Sequence, residues 1–319
     1  MTKAMILKKP GNLAWEDIDV GDPGAGEVRL RQTAVGLNFI DTHFADGSYP
    51  AQSYPCILGF EAAGVVEATG SGVTEVKEGD RAAYCLTMGA FTQARLIAAD
   101  KLLLLPDSFS DEQAAAGLLK SMTVQYLLRQ SYRVKTGDVI LIHAAAGGVG
   151  NLLCQWAKHL GATVIGTVSS ADKADYARAR GCGHAIDYTR EDFVARVNEI
   201  TEGAGVDAVY DSVGKDTFLK SFSVLKPFGT LAMYGHTSGP VPSEDFAKIP
   251  MDRYFIRTTL AAYTNTREDM LAVANEFFDV VSTGGLKIDI GHTWPLSETD
   301  KAIADLDNRR TTGATVLIP

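Results

Sequence analysis

The stretch richest in chemistry is Val139-Ile140-Leu141-Ile142-His143-Ala144-Ala145-Ala146-Gly147-Gly148-Val149-Gly150, followed directly by a helical pattern. It reads as a strand, a glycine turn and a helix start. Such a turn lets the backbone approach a pyrophosphate closely, and the free N–H groups and dipole of the new helix meet its charge. Ala145 stands where the first glycine of a GxGxxG loop would be. A lone motif of this kind is weak, but the strand before it, the helix after it and the βαβ series behind it make a dinucleotide site the expectation. His143, at the strand end, reads as a packed residue rather than a catalytic one.

The end of the next strand selects the dinucleotide. NAD sites place an acidic side chain there to accept hydrogen bonds from the ribose hydroxyls. Here the chain runs Gly166-Thr167-Val168-Ser169-Ser170-Ala171-Asp172-Lys173. Ser169 and Ser170 can donate to a 2′-phosphate and Lys173 can neutralise it, so NADPH is expected over NADH. Asp172 lies inside the helix start, where N-capping or dipole stabilisation is its ordinary role. A solvated helix face is the competing reading of Lys173.

The elements that must hold these groups follow from texture. The chain has 319 residues, 46% of them hydrophobic, enough for about two domains. Residues 1–121 carry glycine turns and short alternating apolar runs, the pattern of a compact antiparallel β domain. A helix is expected at 118–128, and then strands and amphipathic helices alternate: strand 139–143, helix 148–160, strand 163–168, helix 170–180, strand 185–187, helix 190–201, strand 206–210, helix 217–225 and strand 229–233. That order predicts a doubly wound parallel sheet over residues 122–262. A helix at 267–283 and strands near 292–295 and 315–318 are assigned back to the β domain, as residues 263–319.

Composition narrows the partners. A formal charge of −9 with scattered Lys and Arg argues against nucleic acid. Cys56, Cys85, Cys154 and Cys182 form no CxxC pair, so buried free thiols are expected rather than disulfides or a zinc knuckle. No apolar run reaches the roughly 20 residues that span a bilayer; residues 101–106 read as a short buried strand. The start lacks the apolar core and cleavage site of a signal peptide, so a cytoplasmic location is expected.

Several separated motifs together resemble the medium-chain dehydrogenase/reductase superfamily, in its zeta-crystallin-like quinone oxidoreductase branch, across essentially the whole chain. They are Gly36-Leu37-Asn38-Phe39-Ile40-Asp41-Thr42, Leu58-Gly59-Phe60-Glu61-Ala62-Ala63-Gly64-Val65-Val66, Val76-Lys77-Glu78-Gly79-Asp80-Arg81-Ala82, the 143–150 loop, and Val209-Tyr210-Asp211-Ser212-Val213-Gly214. The resemblance implies an α/β protein with a GroES-like β-rich catalytic domain and a Rossmann-type domain, and a homodimer. The dimer would pair sheet edges, with residues 230–233 and 255–260 as candidate edge strands.

Zinc-dependent relatives put cysteine where Asn38 stands and histidine where Phe60 stands, with a cysteine cluster near residue 90; none of these ligands is present, so no zinc site is expected. The chemistry left is hydride or electron transfer from NADPH to an acceptor that is already electrophilic, a quinone first and a 2-alkenal or other enone second. A different class, an NADPH-binding redox sensor, a structural protein or an RNA-binding protein with little turnover, is the other alternative.

On this resemblance Asn38 and its loop hold the nicotinamide, and Tyr49 and Tyr126 are candidate donors to a developing oxyanion, although both read equally as packed rings. Cofactor contacts are implied for Thr123, Gly148, Val149, Ser169, Lys173, Tyr188, Ser212, Gly235, His236, Arg257 and Arg309; a solvated surface arginine is the competing reading of Arg309. Two departures near the expected nicotinamide end, His43 for a common tyrosine and Thr258 for a common proline, bear on the choice of acceptor. A histidine there can donate a proton near neutral pH or simply reshape the pocket.

Overall fold

The alternating pattern of the first residues does become strand, and the change of texture near residue 120 does mark a change of architecture. The computed structural model describes residues 2–308 and 310–319. In chain order its elements begin with β1 (Thr2–Lys9), β2 (Asn12–Ile18), β3 (Glu27–Leu37), α1 (Phe39–Asp46), β4 (Cys56–Ile57), β5 (Glu61–Thr69), β6 (Arg81–Cys85), β7 (Ala94–Ala98), β8 (Leu103–Leu104) and α2 (Asp111–Tyr126). They continue with β9 (Val139–Ile142), α3 (Gly148–His159), β10 (Thr163–Val168), α4 (Ala171–Ala179), β11 (His184–Asp187), α5 (Phe193–Ile200), β12 (Val206–Asp211), α6 (Phe218–Ser223) and β13 (Leu225–Met233). The last are β14 (Tyr254–Arg257), α7 (Leu260–Tyr263), α8 (Arg267–Ser282), β15 (Ile290–Pro295), α9 (Thr299–Asp307) and β16 (Ala314–Ile318).

Two compact units result. The first takes Met1–Lys120, Thr266–Ala274 and Ile288–Pro319, and the second takes Ser121–Asn265 and Asn275–Lys287. The sequence reading placed all of 263–319 with the β domain. Asn275–Lys287 instead belongs to the second unit, where Glu276 accepts hydrogen bonds from Gln125 and Arg129, each at 2.7 Å.

In the first unit the long strand β3 is the spine. It pairs antiparallel with β5, β7 and β16, and Leu30, Leu37, Leu58, Tyr84 and Phe91 fill the core beneath. The unit is not wholly antiparallel as expected, because β15 and β16 run parallel. Parallel neighbours need a long crossover, and α9, which the sequence reading did not mark, supplies it. Residues 101–106 form only the two-residue β8.

The second unit is a parallel sheet in the order β11-β10-β9-β12-β13-β14. The chain winds outward from β9 to β11, returns to β12 and winds outward the other way. With right-handed crossovers this puts helices on both faces and a topological switch between β9 and β12. Residues 230–233 lie inside the sheet, flanked by β12 and β14, whereas β14 is the edge. α2 begins at Asp111, earlier than expected, and ends in a π-helical turn, Leu127–Ser131.

Phe218 centres the aromatic core of this unit, with Phe222, Phe246 and Phe255 rings at 5.2, 5.3 and 5.3 Å. Its replacement by Ala is expected to cost about 3–5 kcal/mol, measured by urea unfolding; a loss under about 1 kcal/mol would contradict this packing.

Candidate active site

The parallel strands of the second unit deliver their chemistry at their carboxyl ends. After β9, His143 is fully buried. Its Nδ1 lies 3.0 Å from Thr167 Oγ1 and its Nε2 2.9 Å from Ser221 Oγ, and its ring meets Phe193 edge-on at 5.0 Å. Burial lowers its pKa, so the neutral ring ties β9 to β10 and α6, as the packed reading expects. The chain then turns through Ala144 and enters α3 at Gly147, an N-cap with no side-chain hydrogen bond. The first N–H groups of α3 are thus left for another partner. Ala145, the departure from the glycine pattern, is fully buried, and room for it comes from Gly166: a Cβ there would sit 2.5 Å from that of Ala145.

At the end of β10, Ser170 caps α4, its hydroxyl oxygen accepting the Lys173 N–H at 3.3 Å. Asp172 is exposed in the first turn of that helix, the dipole position. Tyr188 stands exposed beside them, its N–H donating to Val168 O at 3.1 Å. The neighbouring carboxylate, Asp187, is occupied: Thr189 donates to it from Oγ1 at 2.6 Å and from N at 3.1 Å, which holds its pKa down. Beyond β12, Asp211 shapes the turn that carries Ser212, accepting from Val213 N, Gly214 N and Thr217 Oγ1. Gly235 and His236 follow β13, and Arg257 and Thr258 close β14. Gly148, Val149, Ser169, Ser170, Lys173, Tyr188, Ser212, Gly235, His236, Arg257 and Thr258 therefore share one end of one sheet.

Thr123 and Tyr126 lie on α2. Tyr126 is buried and stacked on Tyr263, ring centroids 4.7 Å apart at 13°, and burial pushes its pKa up, so the phenol keeps its proton. Arg309 lies outside the described residues.

In the first unit Asn38 follows β3 and caps α1 in a capping box with Asp41, whose carboxyl oxygen takes the Asn38 N–H at 2.7 Å. The Asn38 amide nitrogen donates to Glu61 Oε1 at 2.7 Å. His43, in the last turn of α1, has its ring 4.9 Å from that of Tyr49, and the Tyr49 N–H donates to His43 O at 2.9 Å. Phe60 packs on Phe44 at 5.2 Å. The positions that carry thiolate and imidazole in zinc-dependent relatives thus hold a committed amide and a packed benzyl group. Among the described residues no three His, Cys, Asp or Glu side chains gather as a metal site would require.

Sequence reasoning missed the charges under Asn38. Asp41 and Glu61 are fully buried, and Lys120 is nearly so. Glu61 receives Lys120 Nζ at 3.0 Å on Oε1 and the Leu119 N–H at 2.7 Å on Oε2. Only a carboxylate in the otherwise apolar run after Leu58 hinted at it.

Two family models match the two parts of the chain: an alcohol dehydrogenase GroES-like domain over residues 24–107 and a zinc-binding dehydrogenase over residues 148–276. They define an oxidoreductase of the medium-chain dehydrogenase/reductase class. A quinone oxidoreductase of Pseudomonas aeruginosa is 47% identical over 97% of this chain and 96% of its own. A 2-haloacrylate reductase of a Burkholderia species is 46% identical over 99% and 98%. The crystal structure of Escherichia coli quinone oxidoreductase complexed with NADPH superposes with a TM-score of 0.96 at 41% identity, covering 99% of this chain and 100% of that one. The chain belongs to the quinone oxidoreductase family.

Burial raises the pKa of Asp41 from 3.8 to about 8, with Glu61 adding to the rise. A carboxyl that holds its proton more tightly when folded stabilises the fold fully at acid pH, and that stability is lost as pH climbs through the folded value. The stability of the wild type relative to Asp41→Asn should therefore decline from the unfolded value of 3.8 up to about 8 and level off above. A difference in unfolding free energy that is flat with pH would contradict the assignment.

Proposed function

We propose that the protein is a zinc-independent, NADPH-dependent reductase of quinones. The observation that carries this reading is the carboxyl-end edge of the parallel sheet, where an open helix start, hydroxyl groups and an ammonium follow one another on successive strands. NADPH fits these groups. The backbone N–H groups of Gly148 and Val149 take the pyrophosphate, Ser169, Ser170 and Lys173 take the 2′-phosphate, and Tyr188 flanks the adenosine. Ser212, Gly235, His236, Arg257, Thr123 and Tyr126 bind along the rest, and Arg309 is assigned with them by resemblance. When bound, NADPH supplies the hydride.

Asn38, with His43 and Thr258, is assigned to orient the nicotinamide, and Tyr49 to donate to the developing oxyanion. Zinc independence is supported by the amide of Asn38, already spent on Glu61, and by the packed Phe60. An electrophilic acceptor needs no Lewis acid to ionise it, which suits this donor set.

A second reading, reduction of α,β-unsaturated carbonyl or carboxyl compounds, has its own support. His43 places an imidazole against Tyr49, an added donor for the enolate such substrates form, and the Burkholderia relative carries the name of a reductase of that class. The reading also includes a cytoplasmic location and a homodimer. Support for the dimer is the edge strand β14, with Tyr254, Met251 and Phe228 exposed at and around it; like edges of two copies can pair about a twofold axis.

NADPH oxidation with 1,4-benzoquinone, 9,10-phenanthrenequinone and a short 2-alkenal decides between the readings: quinone turnover should dominate, dominant alkenal turnover would reverse the order, and binding without turnover would favour a sensor. In Ser169→Ala/Lys173→Ala the Kd for NADPH should rise about 10- to 100-fold while that for NADH hardly moves; an unchanged NADPH affinity would refute the 2′-phosphate assignment. Elemental analysis should find the active protein free of zinc, and one zinc per chain would overturn that part.

A further inference from the structure

The group beneath Asn38 is unusual in its cost. Glu61 has no exposed side-chain surface and Lys120 only 8%, and two charges removed from water are retained only where geometry compensates them. Here Lys120 Nζ also reaches Leu37 O at 3.5 Å, and the other contacts converge on one carboxylate. Its Oε2 accepts the Leu119 N–H at 2.7 Å; its Oε1 accepts both Lys120 Nζ at 3.0 Å and Asn38 Nδ2 at 2.7 Å. The backbone is shaped around it. Gly36, opposite Glu61 in the β3–β5 register, could not carry a Cβ, which would lie 2.4 Å from Glu61 Cγ and 2.1 Å from Ala115 O.

A carboxylate only accepts hydrogen bonds, whereas an amide has a donor end and an acceptor end. Glu61 can therefore meet Asn38 in one orientation, amide nitrogen inward. Lys120 Nζ binds the same Oε1 that receives Asn38 Nδ2, and so anchors the oxygen against which the amide is set. Lys120 thus holds the carboxylate that, together with the Asp41 N–H of the capping box, sets the orientation of the Asn38 amide.

We infer that Glu61 and Lys120 are positioning residues that act through Asn38, fixing its amide for the reductase chemistry. The inference rests on the functional reading of Asn38 given above. Their distance from reacting groups does not weaken the effect, because a misplacement of about 1 Å in a supporting residue can cost on the order of 100-fold in rate.

Glu61→Gln, Lys120→Met and the neutral double variant test it. Each folded single variant should lose about 10- to 100-fold in kcat with 1,4-benzoquinone while its Kd for NADPH, from fluorescence titration, stays within about threefold of wild type. The double should be no worse than the poorer single, since the two residues act as one unit. Lys120→Arg, which keeps the charge, should recover part of the loss. Selective 15N-asparagine labelling gives a second readout: the side-chain amide resonance of Asn38 should shift in Lys120→Met and in the double. If a single variant fails to fold, the double, which buries no unpaired charge, carries both readouts.

Turnover within twofold of wild type in the folded variants, or losses in the double that multiply those of the singles, would overturn the inference. An unmoved Asn38 resonance would do so as well. Wild-type protein that reduces none of the acceptors would instead refute the functional reading, and the resonance of Asn38 would still decide whether Lys120 and Glu61 orient it.

Discussion

A carboxylate shut away from water imposes demands on everything near it, and Glu61 imposes them on the first unit. It needs a cation, which α2 brings from 59 residues away in sequence. It needs backbone donors, and α2 offers the Leu119 N–H. It needs space, and the glycine across the ladder leaves it. Once these are met, Glu61 Oε1 still accepts from the amide nitrogen of Asn38. Asp41 fits the same logic from the other side: two buried carboxyls share one nearby ammonium, and the one without a direct ion pair keeps its proton.

The second unit works by a different rule. Its carboxyl-end edge is built mainly by repetition, with the buried Asp211 shaping one of the turns. Successive turns at the carboxyl ends of its strands carry the polar groups assigned to the dinucleotide. Where a turn carries a charge it does not present, that charge is spent locally, as Asp187 is on Thr189 and Asp211 on the 213–217 turn. The neutral His143 shows the same economy, holding three elements together from beneath the loop.

That difference explains what could be read in the sequence. The parallel sheet was legible because its strands and helices alternate with clear periods, and the dinucleotide loop stands at the first junction. The start of α2 was not seen because its first turns are alanine-rich and weakly periodic. Yet Ser110 and Gln113 cap each other reciprocally there, at 3.0 and 3.1 Å, a local signal that was available. α9 escaped because its short amphipathic run lies beside strands read as antiparallel. The Glu61 cluster left only its carboxylate as a hint, since nothing in sequence links a carboxylate in an apolar strand to a lysine on a distant helix.

Ser170 joins two demands in one side chain. Its oxygen secures the first turn of α4, while on the proposed reading its position at the end of β10 meets the part of the dinucleotide that distinguishes the phosphorylated form. Aspartate and asparagine cap helices about as well as serine. A lineage could therefore exchange Ser170 for an acidic residue and invert the charge offered to the ribose without loosening the helix behind it. Cofactor preference at this position is free to evolve because the fold is indifferent to which capping residue sets it.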